Sequence, residues 1–354
     1  MKRQRTIAST NASAPIGSEP ARASLYRLHH PHPASVEAVV VGLHGHRLGD
    51  HTKATGLTNQ LVQLLGLVAM TDVQHEALSL STLNFRAHPY TEEYVPFGEL
   101  WDVSHWNTVA VRTRQLPTLT SLDATRYATN NLTADMFHSS NLWAAFRRGA
   151  IVSEQTDAFL RALQPATALR PLIDAMLPGH LGALHARIEL DLTKSMPHTQ
   201  SRTGVPALWS LLRAPLMLLA AQTDGLYVAT ARPLVSDPKD RRILDEGSSP
   251  WASVPLRFGG MEIVQRSGVF GNSSRLFVHG AVVDLFVCAS ARFFVGARMS
   301  SFSFLIALLR SQCLGWDASN TTFSYTYRSQ LVRHRLVAQR QYVPAWTVVG
   351  VRGI

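Results

Sequence analysis

With 354 residues, 46% of them hydrophobic and 16% charged, the chain has ample apolar material for a buried core and exceeds one ordinary domain. That balance excludes an intrinsically disordered protein. The formal net charge of +10 points to an anionic partner, but the positive charges are scattered and almost all arginine. A nucleic-acid footprint clusters its charge, so nucleic acid is not the expected partner.

Residues 1–35 are rich in Ser, Ala, Pro, His and Arg without periodicity and read as a flexible tail. Within it, Met1–Arg5 is positively charged, but no hydrophobic core follows, so no signal peptide is read. The first ordered element expected is a strand over Val36–Leu43, a β-branched run suited to a sheet buried on both faces. A Gly/His loop follows, then a helix over about Gly56–Met70, with Leu57, Leu61, Leu64, Leu65 and Val68 at helical spacing. Strand, loop and helix in that order open a doubly wound domain. The polar and aromatic stretch from about 85 to 150 shows weak periodicity and yields no order of elements. A helical pair is expected around Ser153–Leu177, interrupted near Pro165 and ended by Pro178-Gly179.

From there the pattern alternates again. Gly182–Leu190 reads as a strand, Val205–Ala221 as a helix perturbed by Pro215, and Gly225–Ala231 as a strand. Val282–Ala289 and Arg292–Val295 also read as strands, and Ser300-Ser301 opens a helix to about Arg310. No run of 18 apolar residues survives: Arg213 and Pro215 break one candidate, Asp284 and Arg292 another, so no transmembrane segment is expected. The two cysteines, Cys288 and Cys313, lack metal-ligand spacing; Cys288 reads as a buried thiol, and a bridge between them is not decided by sequence. The expected fold class is α/β: two Rossmann-like domains facing a cleft, residues 36–172 and 173–354.

Three segments carry chemistry. In the first, His185, Arg187, Glu189 and Asp191 share one strand face by alternation. That face is either the solvated side of an edge strand or a cleft wall on which Arg187 neutralises phosphate. The second runs Phe294 to Ser303 as strand, glycine turn, serine pair and helix. A helix start with Ser300 and Ser301 reads equally as plain N-capping or as a phosphate cradle. The third, Gly56-Leu57-Thr58-Asn59-Gln60, enters the first helix, either as a capped start or as backbone brought close to a ligand with the Asn59 amide beside it. No Asp-x-Asp triplet, Walker loop or GxGxxG is present, so a bound diphosphate would be neutralised by arginine and helix ends, without a metal.

Taken in order, Gly56–Gln60, the aromatic-Asp segment Glu99–Val103, His185–Asp191 and the stretch Val283–Arg310 resemble the GDP-fucose protein O-fucosyltransferase superfamily, across about residues 37–315. The last stretch is the most specific: Asp, apolar run, Phe-x-Gly and Ser-Ser-Phe recur in that order. The resemblance implies a GT-B fold and metal-independent, inverting transfer of fucose from GDP-fucose to a protein or glycan hydroxyl, in the lumen of the secretory pathway. It implies that Arg187 contacts the β-phosphate, that His185 sits against the nucleotide, and that Asp284 helps hold the guanosine. It further implies that Ser300, Ser301 and Phe302 cradle the diphosphate and nucleoside, with Asn59 near the transferred sugar. No catalytic base is assigned, since Asn59 is not a carboxylate and His44, His46, Asp50 and His51 form a His-rich loop. The competing expectation is a non-catalytic relative that binds a GDP-sugar or acts as a scaffold.

Overall fold

The structure is a computed structural model, and it describes residues 39–43, 48, 56–87, 92–128, 154–177, 181–187, 208–230, 256–258, 261–265, 274–298, 300–314, 318–325, 331–335 and 345–349. The β-branched run near the start forms β1 (Val39–Leu43), and α1 (Leu57–Met70) follows at the expected place. Next come β2 (Glu76–Ser79), β3 (Asn84–Arg86), β4 (Tyr94–Pro96), α2 (Phe97–Leu100), α3 (Val103–Thr113), β5 (Thr118–Thr120) and β6 (Arg126–Ala128). Strands β5, β2, β1 and β6 form a parallel sheet in that order, while β3 and β4 pair as a small antiparallel ribbon. Sequence periodicity was uninformative here because β3 to β6 are three residues each, too short for alternation to register. Aromatic packing holds this region instead. Trp106 meets Phe97 and Phe159 edge-on at 5.5 and 5.6 Å, and its indole N–H donates to the Pro117 carbonyl at 3.0 Å.

The helical pair appears as α4 (Glu154–Ala162) and α5 (Arg170–Ala175). Beyond it lie β7 (Leu181–His185), α6 (Leu208–Ala220, with Pro215 inside), β8 (Gly225–Ala229), β9 (Leu256–Phe258), β10 (Met261–Gln265), α7 (Ser274–Ser290) and β11 (Phe293–Ala297). Then come α8 (Ser301–Leu308), a π-helical turn over Leu309–Cys313, α9 (Ala318–Thr321), β12 (Thr322–Tyr325), β13 (Leu331–Arg335) and β14 (Ala345–Val349). One expectation is overturned: Val282–Ala289 is not a strand but the second half of α7. This helix is covered all round, with Val278, Val282, Val283, Leu285, Val287, Cys288 and Ala289 all buried, so it lacks the polar stripe that identifies a helix in sequence.

The larger sheet has the order β14-β13-β12-β11-β7-β8-β10-β9. Its five central strands are parallel and its edges antiparallel. The fold is therefore mixed α/β with parallel sheets. From β7 the chain moves to one side through β8 and β10, then returns through β11 and β12 on the other side. The order reverses between β7 and β11, and a crevice at the carboxyl ends of the strands is expected at such a reversal. Residues 38–354 form one compact unit, and a single buried cluster runs from β1 and α1 through α7 to α8. Among the described residues, no helix is long and apolar enough to cross a membrane.

Candidate functional site

Strands β7 and β11 pair from Gly182 and Phe293 only as far as Leu184 and Val295, whereas β11 continues alongside β12 as far as Ala297 and Tyr325. The reversal point thus opens just where His185 and Arg187 leave the sheet. Gly296 lets α8 fold back against this opening: a Cβ there would lie 2.6 Å from the Ser303 side chain and 2.8 Å from the Phe294 ring. The Phe-x-Gly step is therefore a packing requirement.

The end of β7 and the start of α8 meet directly. His185 Nδ1 lies 2.7 Å from Ser303 Oγ, and the imidazole packs edge-on against the Phe302 ring with centroids 5.0 Å apart. Burial first, and then the neighbouring Arg187 guanidinium, push the His185 pKa down from 6.5 to about 3. The imidazole is neutral at physiological pH. Arg187, half-buried, lies two residues on, beyond the end of β7 rather than on the longer strand expected from sequence. Its backbone N–H donates to Tyr325 Oη at 2.9 Å.

Ser300 occupies the N-cap position of α8 but makes no capping hydrogen bond through its side chain. Its Oγ is buried without a hydrogen-bond partner, and the residue is 2% exposed. The Ser300 side chain therefore does not cap the helix whose N-cap position it holds. Ser301 Oγ faces Asn59 Oδ1 at 3.5 Å, bringing the first turns of α1 and α8 together across 242 residues of sequence. Two helix N-termini, each with first-turn N–H groups that lack intrahelical acceptors, thus converge beside His185 and Arg187. A Cβ at Gly56 would meet nothing within 4 Å, so packing does not require that glycine. Gln60 is buried and clamps the Arg86 backbone, donating to its carbonyl at 3.2 Å and accepting from its N–H at 2.7 Å.

No family model matches this chain, and no curated protein does. Among solved structures the chain is similar to POFUT1 in complex with GDP, at 11% identity, covering 83% of this chain and 99% of that one, with a TM-score of 0.49. It is also similar to NodZ α-1,6-fucosyltransferase soaked with GDP-fucose, at 11% identity, covering 88% and 99% of the two chains, TM-score 0.41. A NodZ fucosyltransferase from Bradyrhizobium is similar at 12% identity, covering 77% and 93%, TM-score 0.38.

The remaining sequence candidates fall elsewhere. Asp284 sits on α7, buried, and accepts the Tyr227 hydroxyl at 2.5 Å. Tyr227 pairs in register with Ala183, two residues short of His185, so Asp284 lies over the middle of the sheet. The Glu99–Val103 segment is structural. Trp101 is fully buried with Phe286 at 6.2 Å, and Asp102 caps α3 by accepting the His105 N–H at 2.9 Å while pairing with Arg170 at 2.5 Å. A cavity of about 530 Å³, lined by residues including Glu99, Asp102, Ser104 and His279, shares no residue with the helix-end cluster. Glu189, Asp191, His44, His46, Asp50 and His51 lie outside the described residues. Sequence reasoning missed Tyr325 and the role of Ser303; Ser303 stood in the quoted serine motif, whereas nothing local marks Tyr325. No group of three or more metal-ligating side chains occurs among the described residues.

Proposed function

We propose that this chain is a GDP-sugar glycosyltransferase that transfers fucose from GDP-fucose to a hydroxyl of a protein or glycan acceptor, with inversion and without a metal. The observation that carries the reading is the convergence of Arg187, the unpartnered Ser300 hydroxyl and the α8 N-terminus at the strand-order reversal. The sequence resemblance over the same segments supplies the identity of the nucleotide and sugar.

Breaking a glycosyl–phosphate bond builds negative charge on the departing diphosphate and positive character on the sugar carbon. On this reading Arg187 and the first-turn N–H groups of α8 stabilise the former, as fixed donors that need no rearrangement during the step. Ser300 Oγ adds a donor that has no competing partner in the protein. His185 is tied to Ser303 through Nδ1, which leaves Nε2 as the ring nitrogen that meets the nucleotide on this reading. Burial and the Arg187 charge hold His185 neutral, so the general-base role is not assigned to it. On this reading Asn59, tied to Ser301, hydrogen-bonds the transferred sugar.

The test is thermal unfolding with ligands in the presence of EDTA, followed by assay of GDP release. GDP and GDP-fucose raise the midpoint, while UDP and single-stranded DNA do not. Arg187→Ala folds normally and loses about 10²- to 10³-fold in turnover, the usual cost of removing one such donor. The absence of any GDP response, or near-normal turnover in Arg187→Ala, overturns the proposal. A GDP response with no GDP release on adding acceptors would instead identify a non-catalytic binding protein.

A further inference from the structure

We propose that Tyr325 is a positioning residue for Arg187, its phenol replacing the strand partner that the end of β7 lacks. This rests on the reading of Arg187 as the group that meets the donor's diphosphate. Ala186 donates its N–H to the Ala229 carbonyl at 2.9 Å, on the β8 side. By strand geometry, the His185 carbonyl and the Arg187 N–H therefore face the opposite edge, toward β11. There the ladder has stopped, since β7 and β11 pair no further than Leu184 and Val295. Two buried backbone groups at the mouth of the site would be left without partners, a costly arrangement.

The Tyr325 hydroxyl satisfies both. It accepts the Arg187 N–H at 2.9 Å and donates to the His185 carbonyl at 3.2 Å, bracketing Ala186 with one oxygen. A phenol can do this because it donates and accepts at the same atom. Tyr325 is itself immobilised: it is 1% exposed, packed in the cluster under β7 and β8, and paired in register with Ala297 at the end of β11. The point at which the Arg187 side chain departs is thus set by a strand two places away in the sheet. Because effective catalysis depends on placement within about 1 Å, with misplacement costing on the order of 100-fold, this contact bears on rate.

Tyr325→Phe keeps the ring and deletes both bonds. The experiment uses the full chain and reads three quantities. First, hydrogen–deuterium exchange resolved to the Arg187 amide: in wild type this amide is protected although it lies beyond the end of β7, and in Tyr325→Phe its exchange rises at least about tenfold. Second, GDP release from GDP-fucose: Tyr325→Phe lowers kcat by about 10- to 100-fold, with a smaller change in KM. Third, a double-mutant cycle: in the Arg187→Ala background Tyr325→Phe costs nothing further, because its effect runs through Arg187. Three results overturn the proposal while leaving the donor-site reading intact: an unprotected Arg187 amide in wild type, wild-type kcat in Tyr325→Phe, or a full second loss in the double variant. The first of these needs no variant to fold. A wild-type chain with no GDP response overturns the donor-site reading, and this proposal with it.

Discussion

At the scale of single residues, His185 and Ser300 offer the sharpest tests of the proposed site. In the folded chain the His185 pKa lies near 3, while in an unfolded chain it returns to about 6.5. Unfolding therefore takes up a proton between these values. The contribution to stability is complete above pH 6.5 and declines as the pH falls toward 3, by about 1.4 kcal/mol per pH unit from this group. His185→Gln removes the titration while keeping a polar group near Ser303, so its urea-unfolding free energy falls less steeply over that window. Equal slopes in the two proteins would show that His185 is not held neutral by the fold. For Ser300, deleting an unpartnered hydroxyl breaks no hydrogen bond, so Ser300→Ala unfolds within about 0.5 kcal/mol of wild type. Its GDP affinity, read by calorimetry, falls about tenfold, consistent with loss of one hydrogen bond to a charged group. A destabilised variant with unchanged GDP affinity would return Ser300 to a purely structural role.

At the scale of elements, the carboxyl end of α7 depends on an arginine from outside it. Arg310, in the π-helical turn after α8, is fully buried. Its guanidinium donates to the carbonyls of Ala289 and Ala291 at 2.9 and 2.5 Å, and to Thr322 Oγ1 and Thr321 Oγ1 at 2.9 and 3.1 Å. A helix end leaves its last carbonyls without partners and carries partial negative charge, and one planar cation answers both needs. Burial lowers the Arg310 pKa to about 10, which leaves it charged at neutral pH. Arg310→Met strands these carbonyls and is expected to destabilise by about 3 kcal/mol, with Arg310→Lys little better because an ammonium cannot make the fork. Chemical denaturation measures both, and a loss below about 1 kcal/mol in Arg310→Met would contradict this account. The same helix explains the misreading of Val282–Ala289 as a strand. Its faces are covered both by the sheet, where Asp284 meets Tyr227, and by the aromatic layer, where Phe286 meets Trp101. No polar stripe is left to mark its period.

For the molecule as a whole, one buried cluster joins the two sheets, from Val41 and Leu57 to Val282 and Phe304, and a second, with Leu184, Leu212 and Val228, lies on the other face of the larger sheet. Melting of one sheet would expose the apolar face packed by the other. Residues 38–354 are therefore expected to unfold in a single cooperative transition. Fluorescence of a variant that keeps Trp101 and Trp106 and replaces the other five tryptophans with Phe reports on the region of the smaller sheet, and its midpoint should coincide with that from far-UV circular dichroism, which weighs both sheets. Two separated transitions would show that the halves are independently stable. Saturating GDP should shift the whole transition, since a ligand held by α1, α8 and β7 together binds no partly unfolded form.

Local chemistry was legible in the sequence wherever it is local in space. The first helix, the proline-perturbed α6, the serine-led α8 and the glycine turn before it all follow from spacing and from residues that punctuate the backbone. Which of these helix ends meet was decided by the tertiary structure. Strand order places the β7 and β11 ends at the reversal, and contacts spanning 118 to 242 residues bring Ser303 to His185, Tyr325 to Arg187 and Ser301 to Asn59. The physical reason is that hydrophobic period and turn chemistry encode which face of an element is buried but carry no record of its neighbour. That choice belongs to the register and order of the sheet, which only the assembled core enforces.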